Sequence, residues 1–232
     1  MTYREVRAVA GRRGRHVAGN IAALGALKRV LADLDASKSL VDRRHGDLRL
    51  RGTIDMLSGL LNRVAFFAQA NVLYERCQIN HSAVSCLMFD VDNFKWINDC
   101  HGHHAGDLVI AAIARILQSS ARSSDVACRY GGDEFCLFAP AADAMQAIQM
   151  ADRVRSRIAN DFSLNIVSDA QITISISAGV ATGHVPDDTV EALLGRADAA
   201  LNCAKRAGRN QVRLADDTTV QEQRVCSTVA AC

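Results

Sequence analysis

Proline is nearly missing from this chain, with two residues in 232, and no internal repeat or low-complexity tract occurs. With 49% hydrophobic residues, that excludes a disordered or Pro-rich linker protein and points to a packed core. No apolar run reaches the roughly 20 residues that a membrane-spanning helix needs, so no transmembrane segment is expected. Arg4, Arg7, Arg12, Arg13 and Arg15 are followed by no signal-like apolar core. Export is therefore not expected, and a cytoplasmic location is. The eight cysteines include no C-x-x-C pair, and several lie inside apolar runs. That spacing speaks against a zinc site or disulfide framework and for buried free thiols in a reducing compartment.

Charge is unevenly placed. Residues 1–54 hold 12 Lys/Arg against 5 Asp/Glu, whereas residues 55–232 hold 15 against 20. A basic arm suits nucleic acid, an anionic membrane surface or a solvated helix face. The solvated face is the expectation, and no nucleic-acid partner is expected. Ile21, Leu24, Leu27, Leu31 and Leu34 recur at helical spacing, the stripe of a short coiled coil or of a helix docked within the chain. The length suits one domain of about 160 residues plus an extension. We divide it into a basic helical region over 1–54 that can dimerise the chain, a domain over 55–214, and a flexible tail over 215–232.

Within that domain, periodicity predicts helices over 62–73, 105–117, 143–158 and 190–205. Strands are expected over 83–89, 126–130, 135–138, 171–177 and 211–214, and Asp55 to Gly59 reads as a linker turn. The order β-α-β-β-α-β, with an inserted helix, predicts an α/β (α+β) fold with a ferredoxin-like core: a central antiparallel sheet flanked by helices.

The stretch Arg129-Tyr130-Gly131-Gly132-Asp133-Glu134-Phe135 carries most of the information. Paired glycines between strand-like runs mark a tight hairpin, where only glycine reaches positive φ without steric cost. Asp133 and Glu134 then sit at the tip, where backbone can approach a ligand closely. Upstream, the apolar run Cys86 to Phe89 ends in Asp90-Val91-Asp92. A carboxylate ending an apolar strand is costly unless paired or metal-bound. Asp90 and Asp92 share a strand face if the strand persists, although a turn is expected to begin between them. Hard oxygen ligands without His or Cys favour Mg²⁺ or Mn²⁺ over Zn²⁺.

The run Asp90 to Asp99, then Gly102-His103, Gly106-Asp107 and Gly131 to Phe135, resembles the GGDEF-domain diguanylate cyclases. Leu57-Ser58-Gly59-Leu60-Leu61-Asn62-Arg63 and Ala204-Lys205-Arg206-Ala207-Gly208-Arg209-Asn210 extend the match, which covers about residues 55 to 214. The resemblance implies a nucleotide-cyclase-like fold and a homodimer that joins two GTP into cyclic di-GMP, releasing two pyrophosphates. It implies Asp90, the Val91 carbonyl and Asp133 as metal ligands. Asp133 would also help activate the attacking hydroxyl, with Glu134 supporting. Phe94 and Lys95 fall where a loop or helix start offers N–H groups to phosphates. Lys205 and Arg209, four apart on a helix face or its extension, would contact the triphosphate. Gly131 and Gly132 would admit the substrate to the hairpin tip.

Guanine choice has a chemical basis, since N1–H and the N2 amino group are adjacent donors that one carboxylate accepts together. By resemblance Asp107 reads guanine with Asn98 as partner, and His103 matches the histidine of the family's Gly-His pair. Arg122-Ser123-Ser124-Asp125 matches the family's R-x-x-D product-inhibitory site, with Arg153 as a second arginine. Two departures are mild: Asn202 replaces a usual aromatic and Ser58 a usual Thr. No sensory domain is legible. The alternative reading is a catalytically weak GGDEF domain that serves as a receptor for cyclic di-GMP or GTP; intact Asp90, Asp133, Lys205 and Arg209 argue against it.

Overall fold

The computed structural model describes residues 52–161, 164–165, 171–184 and 189–215. The stripe from Ile21 to Leu34 and the tail after residue 215 lie outside them. In chain order the elements are β1 (Leu61–Asn62), α1 (Arg63–Ile79), β2 (Ala83–Val91), α2 (Phe94–His101), α3 (His103–Ser120), β3 (Val126–Arg129) and β4 (Glu134–Pro140). There follow α4 (Ala144–Asp161), β5 (Leu164–Asn165), β6 (Gln171–Ile172), β7 (Ile176–His184), α5 (Val190–Arg206) and β8 (Val212–Leu214).

β2 is buried from Val84 to Val91, so it fits only the middle of a sheet covered on both faces. It pairs antiparallel with β4 on one side and β7 on the other. β3 extends the sheet beside β4, and the edges are parallel pairs, β1 on β3 and β8 on β7. The order β1-β3-β4-β2-β7-β8 is a mixed sheet whose four central strands keep the ferredoxin-like antiparallel order. β5 and β6 form a separate two-stranded ladder.

The period-2 geometry of β2 divides the core in two. Cys86 and Met88 face α1 and α5, packing with Phe66, Phe138, Leu193 and Leu201. Leu87, Phe89 and Val91 face the opposite way, toward Ile97 of α2, Ile110 and Leu117 of α3, and Val154 and Ile158 of α4. Cys77, Cys86, Cys128 and Cys136 are buried free thiols, whereas Cys100 is exposed.

Three sequence-based expectations need correction. α1 runs to Ile79 because Phe66, Ala70, Tyr74 and Cys77 continue its buried stripe, and the Asn62 side chain caps it by accepting from the Ala65 N–H at 3.0 Å. The alternating run 171–177 is not one strand. Its first residues pair with β5, and the sheet strand begins at Ile176 and runs through the small residues Ala178, Gly179 and Ala181. Asp143 is not inside α4 but caps it: its carboxylate accepts from the Gln146 N–H at 2.8 Å, and the Gln146 side chain accepts from the Asp143 N–H at 3.3 Å.

Small residues in β7 let α5 lie directly on the sheet. A Cβ on Gly179 would meet the Ala197 carbonyl oxygen, the Leu201 nitrogen and, at 2.9 Å, the Leu201 Cα. All three are backbone atoms of α5, which can yield only by lifting the helix. Gly179→Ala is therefore expected to cost about 2 kcal/mol or more in urea unfolding. Gly195→Ala, in the same helix with open space at its Cβ position, is expected to gain about 0.5–1 kcal/mol. Equal effects of the two changes would contradict this packing.

Candidate active site

The polar end of β2 gathers the chemistry. Asp90 is buried, and its Oδ2 lies 2.7 Å from Nζ of Lys205, delivered by the last turn of α5. Burial is the largest influence on the Asp90 carboxyl and raises its pKa from 3.8 to about 6. Lys205 opposes this, and the charges of Asp133 and Glu134 push it further up. Three carboxylates thus share one field with one ammonium, an excess of negative charge suited to a cation.

Asp133 and Glu134 reach this point because β4 pairs with β2 in a register that sets Asp90 opposite Glu134. The Val91 N–H donates to the Asp133 carbonyl at 3.2 Å, tying the hairpin tip to the strand end. Neither Gly131 nor Gly132 takes a left-handed φ, contrary to expectation. Gly131 is needed for a different reason: the Glu134 carboxylate folds back to where a Cβ would stand. The tip is braced by Arg129, a residue to which the sequence reading assigned no role. Its Nη2 donates to the Gly132 carbonyl at 2.7 Å, and its Nη1 lies 3.3 Å from Asp55 Oδ1. Burial acts to raise the Asp55 pKa, but hydrogen bonds from Ser58, with Arg129, outweigh it and hold the group below its ordinary value. The linker turn 55–59 and the hairpin are thereby one unit.

Asp92 is not a second free carboxylate beside Asp90. β2 ends at Val91, and Asp92 is buried, with Oδ1 accepting from Ser177 Oγ and Oδ2 accepting from Ser175 Oγ, each at 2.7 Å. Oδ2 also accepts from the Asn210 N–H at 3.0 Å. Nor does Asp90 cap the following helix. Asn93 occupies that position at φ 56° without a side-chain cap, so the first-turn N–H groups of α2, beginning at Phe94 and Lys95, are left to other acceptors. Arg209 is off the helix face on which Lys205 lies. α5 ends at Arg206, and Arg209 stands beyond Gly208 at φ 65°, its N–H donating to the Ala204 carbonyl.

A second cluster forms between α2 and α3. Gly106 gives room to the Asn98 side chain, whose Oδ1 overlaps the position of a Cβ, and to the Phe94 ring at 3.1 Å. Asn98 is thus held against Gly106, the residue before Asp107, which is exposed on α3. His103 is exposed at the start of α3, and Lys95 is exposed on α2. Gly106 is a residue whose need the sequence did not explain; only the crossing of two helices does.

Arg122 and Asp125 lie at the opposite end of β3 from Gly131 and do not join the carboxylates. Asp125 Oδ2 accepts from the Arg122 N–H at 2.7 Å, which leaves the guanidinium out of that bond. Both residues line an open cleft of about 400 Å³ with Leu60, Gln69 and Gln118. Arg153 is anchored nearby, donating to the Ser120 carbonyl at 3.1 Å. Asn202, the departure in α5, donates to Asp198 at 3.3 Å; burial raises the Asp198 pKa against the pull of Lys205.

Among the described residues no three His, Cys, Asp or Glu side chains stand grouped as a complete metal cage. The oxygens present, Asp90, a hairpin carboxylate and main-chain carbonyls, fit a hard cation that draws its other ligands from phosphates and water.

The family described as "Diguanylate cyclase, GGDEF domain" matches residues 52–211, and the chain belongs to that family. It is 38% identical over 158 residues to the response regulator PleD of Caulobacter vibrioides, covering 68% of this chain and 35% of that protein. It is 42% identical over 159 residues to the diguanylate cyclase VdcA of Vibrio cholerae, covering 68% of this chain and 45% of that protein. The chain therefore spans less than half the length of these relatives. The coiled coil and GGDEF domain of DgcB from Caulobacter crescentus, solved with c-di-GMP, superposes with a TM-score of 0.75 at 30% identity, covering 82% of this chain and 99% of that one.

The raised pKa of Asp90 sets a sign. Its contribution to the stability of the cation-free protein is full below about pH 4 and is lost as pH rises through about 6. In EDTA, the melting temperature of the wild type minus that of Asp90→Asn is expected to fall across that window. A difference independent of pH would show that Asp90 is not the titrating group.

Proposed function

We propose that this chain is a diguanylate cyclase, condensing two GTP into cyclic di-GMP with release of two pyrophosphates. The observation that carries the proposal is the Asp90–Lys205 pair inside the field of Asp133 and Glu134: oxygen ligands for a cation and an ammonium for phosphate at one point. Asp90, the Val91 carbonyl and Asp133 are the residues that would hold Mg²⁺ or Mn²⁺. Such a cation supplies charge neutralisation for the departing pyrophosphate and acidifies the attacking 3′-hydroxyl.

The chain's own groups do the rest. Asp133 accepts the hydroxyl proton, and Glu134, folded over Gly131, supports that carboxylate. Lys205, Arg209 and the first-turn N–H groups of Phe94 and Lys95 take phosphate oxygens. Gly132 lets the triphosphate pass close to the hairpin backbone. Asp107 accepts from guanine N1–H and N2, Asn98 holds the other edge, and His103 lines the entrance. Adenine, with an acceptor at N1 and no N2 amino group, is rejected there.

Each domain holds one GTP, so ring closure takes a homodimer, for which the basic region 1–54 is our candidate contact. No described helix is long and apolar enough to cross a membrane. GTP supply and the buried free thiols fit a reducing, cytoplasmic setting. Purified full-length chain incubated with GTP and Mg²⁺ is expected to yield cyclic di-GMP by nucleotide chromatography. Asp133→Ala is expected to abolish the product while shifting stability by less than about 1 kcal/mol. No product from wild type would favour a receptor instead, and undiminished turnover by Asp133→Ala would remove it from the mechanism.

Arg122, Asp125 and Arg153 we assign to product inhibition, since guanidinium groups bind phosphates and stack on purines. They stand a strand's length from the carboxylates, so the product must favour an unproductive arrangement rather than merely bind. Arg122→Ala is expected to raise late product accumulation with little change in initial rate. An unchanged progress curve, with unchanged cyclic di-GMP binding by calorimetry, would end that assignment.

A further inference from the structure

We infer that Asp92 is a positioning residue that ties the segment carrying Arg209 to the cation-binding end of β2, and that it ligates no cation. The inference rests on the reading of the site as a GTP-binding centre. Its basis is a set of contacts on a segment that is tied back to α5 by the Arg209 N–H and the Gln211 side chain, which donate to the Ala204 carbonyl at 3.0 and 3.2 Å, and tied to the end of β2 through Asn210. After α5 the chain passes Gly208 at φ 115° and then sets two consecutive non-glycine residues, Arg209 and Asn210, at φ 65° and 44°. Side-chain-bearing residues rarely take this conformation, and two in succession need outside contacts to persist.

Arg209 is held locally, its N–H on the Ala204 carbonyl and its carbonyl accepting from Gln211 Nε2 at 3.3 Å, whereas the contacts of Asn210 reach distant parts of the chain and meet at Asp92. The Asn210 N–H donates to Asp92 Oδ2 at 3.0 Å, and the Asn210 side-chain oxygen accepts from Arg155 Nη1 at 3.0 Å. Asp92 is fixed in turn. Ser175 and Ser177 donate their hydroxyls to its two oxygens, and its own N–H donates to the Ser175 carbonyl at 3.0 Å. One buried carboxylate thus joins three pieces of chain: the end of β2, the approach to β7, and the loop after α5. Two residues before it stands Asp90, and one residue from its partner Asn210 stands Arg209. Asp92 sets the distance between a cation ligand and a phosphate ligand while touching neither substrate group.

The chemistry of the three donors separates this role from metal ligation. An asparagine at position 92 can keep its oxygen toward Ser175 and the Asn210 N–H. Its amide nitrogen then donates to the Ser177 hydroxyl, which rotates to accept. Every contact of the tie survives, whereas the charge that a metal ligand needs does not. Alanine removes both.

The test uses the full chain and 3′-deoxy-GTP, which binds without cyclising. Asp92→Ala is expected to weaken 3′-deoxy-GTP binding about tenfold, to raise KM more than it lowers kcat, and to speed hydrogen exchange at the Asn210 amide. Asp92→Asn is expected to stay within about threefold of wild type in binding and in Mg²⁺ requirement, with Asn210 still protected. Should Asp92→Ala not fold, Ser175→Ala removes one donor from a partly exposed position and is expected to give an intermediate loss of affinity and protection. Asp92→Asn as inactive as Asp90→Asn, or needing much more Mg²⁺, would make Asp92 a metal ligand and overturn the inference. So would wild-type binding and protection in Asp92→Ala. If wild type makes no cyclic di-GMP the cyclase reading fails, yet the binding and exchange measurements still decide the tie.

Discussion

Two carboxylates buried at the end of one central strand are what the rest of this structure is arranged around. Burying an unpaired carboxylate costs several kcal/mol, so Asp90 and Asp92 each need a partner, and they find partners in different directions. Lys205 answers Asp90 across 2.7 Å, while two serines and a main-chain N–H answer Asp92. Both sets come from the same stretch of chain, the end of α5 and the loop after it, together with the approach to β7. Satisfying the two charges therefore ties the end of α5 and the loop after it to the end of β2. The cations that would meet a triphosphate are placed by the same requirement.

Lys205 does not complete that compensation. Burial, with smaller additions from the charges of Asp133 and Glu134, keeps the Asp90 carboxyl raised to about 6 despite Lys205. A pocket left under-neutralised in this way stores a preference for a cation. At the foot of the hairpin charge is balanced more fully: Asp55 is held below its ordinary pKa, against the effect of burial, by Ser58 and Arg129, which also grips the Gly132 carbonyl. The hairpin tip is rigid where it is braced and electrostatically strained where chemistry would occur.

Three glycines here serve close approach rather than turn geometry. Gly106 admits the Asn98 side chain, Gly131 the Glu134 carboxylate, and Gly179 the backbone of α5. None of the three is left-handed. In each case the missing Cβ is replaced by an atom from another residue. The two clusters of the site and the seating of α5 on the sheet all depend on such replacements.

Much of this was legible in the sequence. The apolar run of β2, the paired glycines, and the helices near 105, 143 and 190 follow from periodicity, because side-chain hydrophobicity repeats with the local geometry of each element. The family membership was legible too, through several motifs in the family's order. What periodicity cannot carry is the identity of a neighbour distant in sequence. Asp92 reads like Asp90, two positions away in sequence, and only Ser175, Ser177 and Asn210, 83 to 118 residues further on, distinguish a tie from a candidate ligand. The Asp55–Arg129 brace spans 74 residues, and Gly106 looks like a helix-weakening residue until Asn98 is seen against it. The boundary of β7 failed for the same reason, since its small residues answer to α5 rather than to an alternating pattern. The sequence determined which elements form and which residue types are available for chemistry, because those are local properties. The tertiary structure alone decided which carboxylate is tied by hydroxyl and main-chain donors and which is paired with Lys205, because that depends on what the fold brings alongside each.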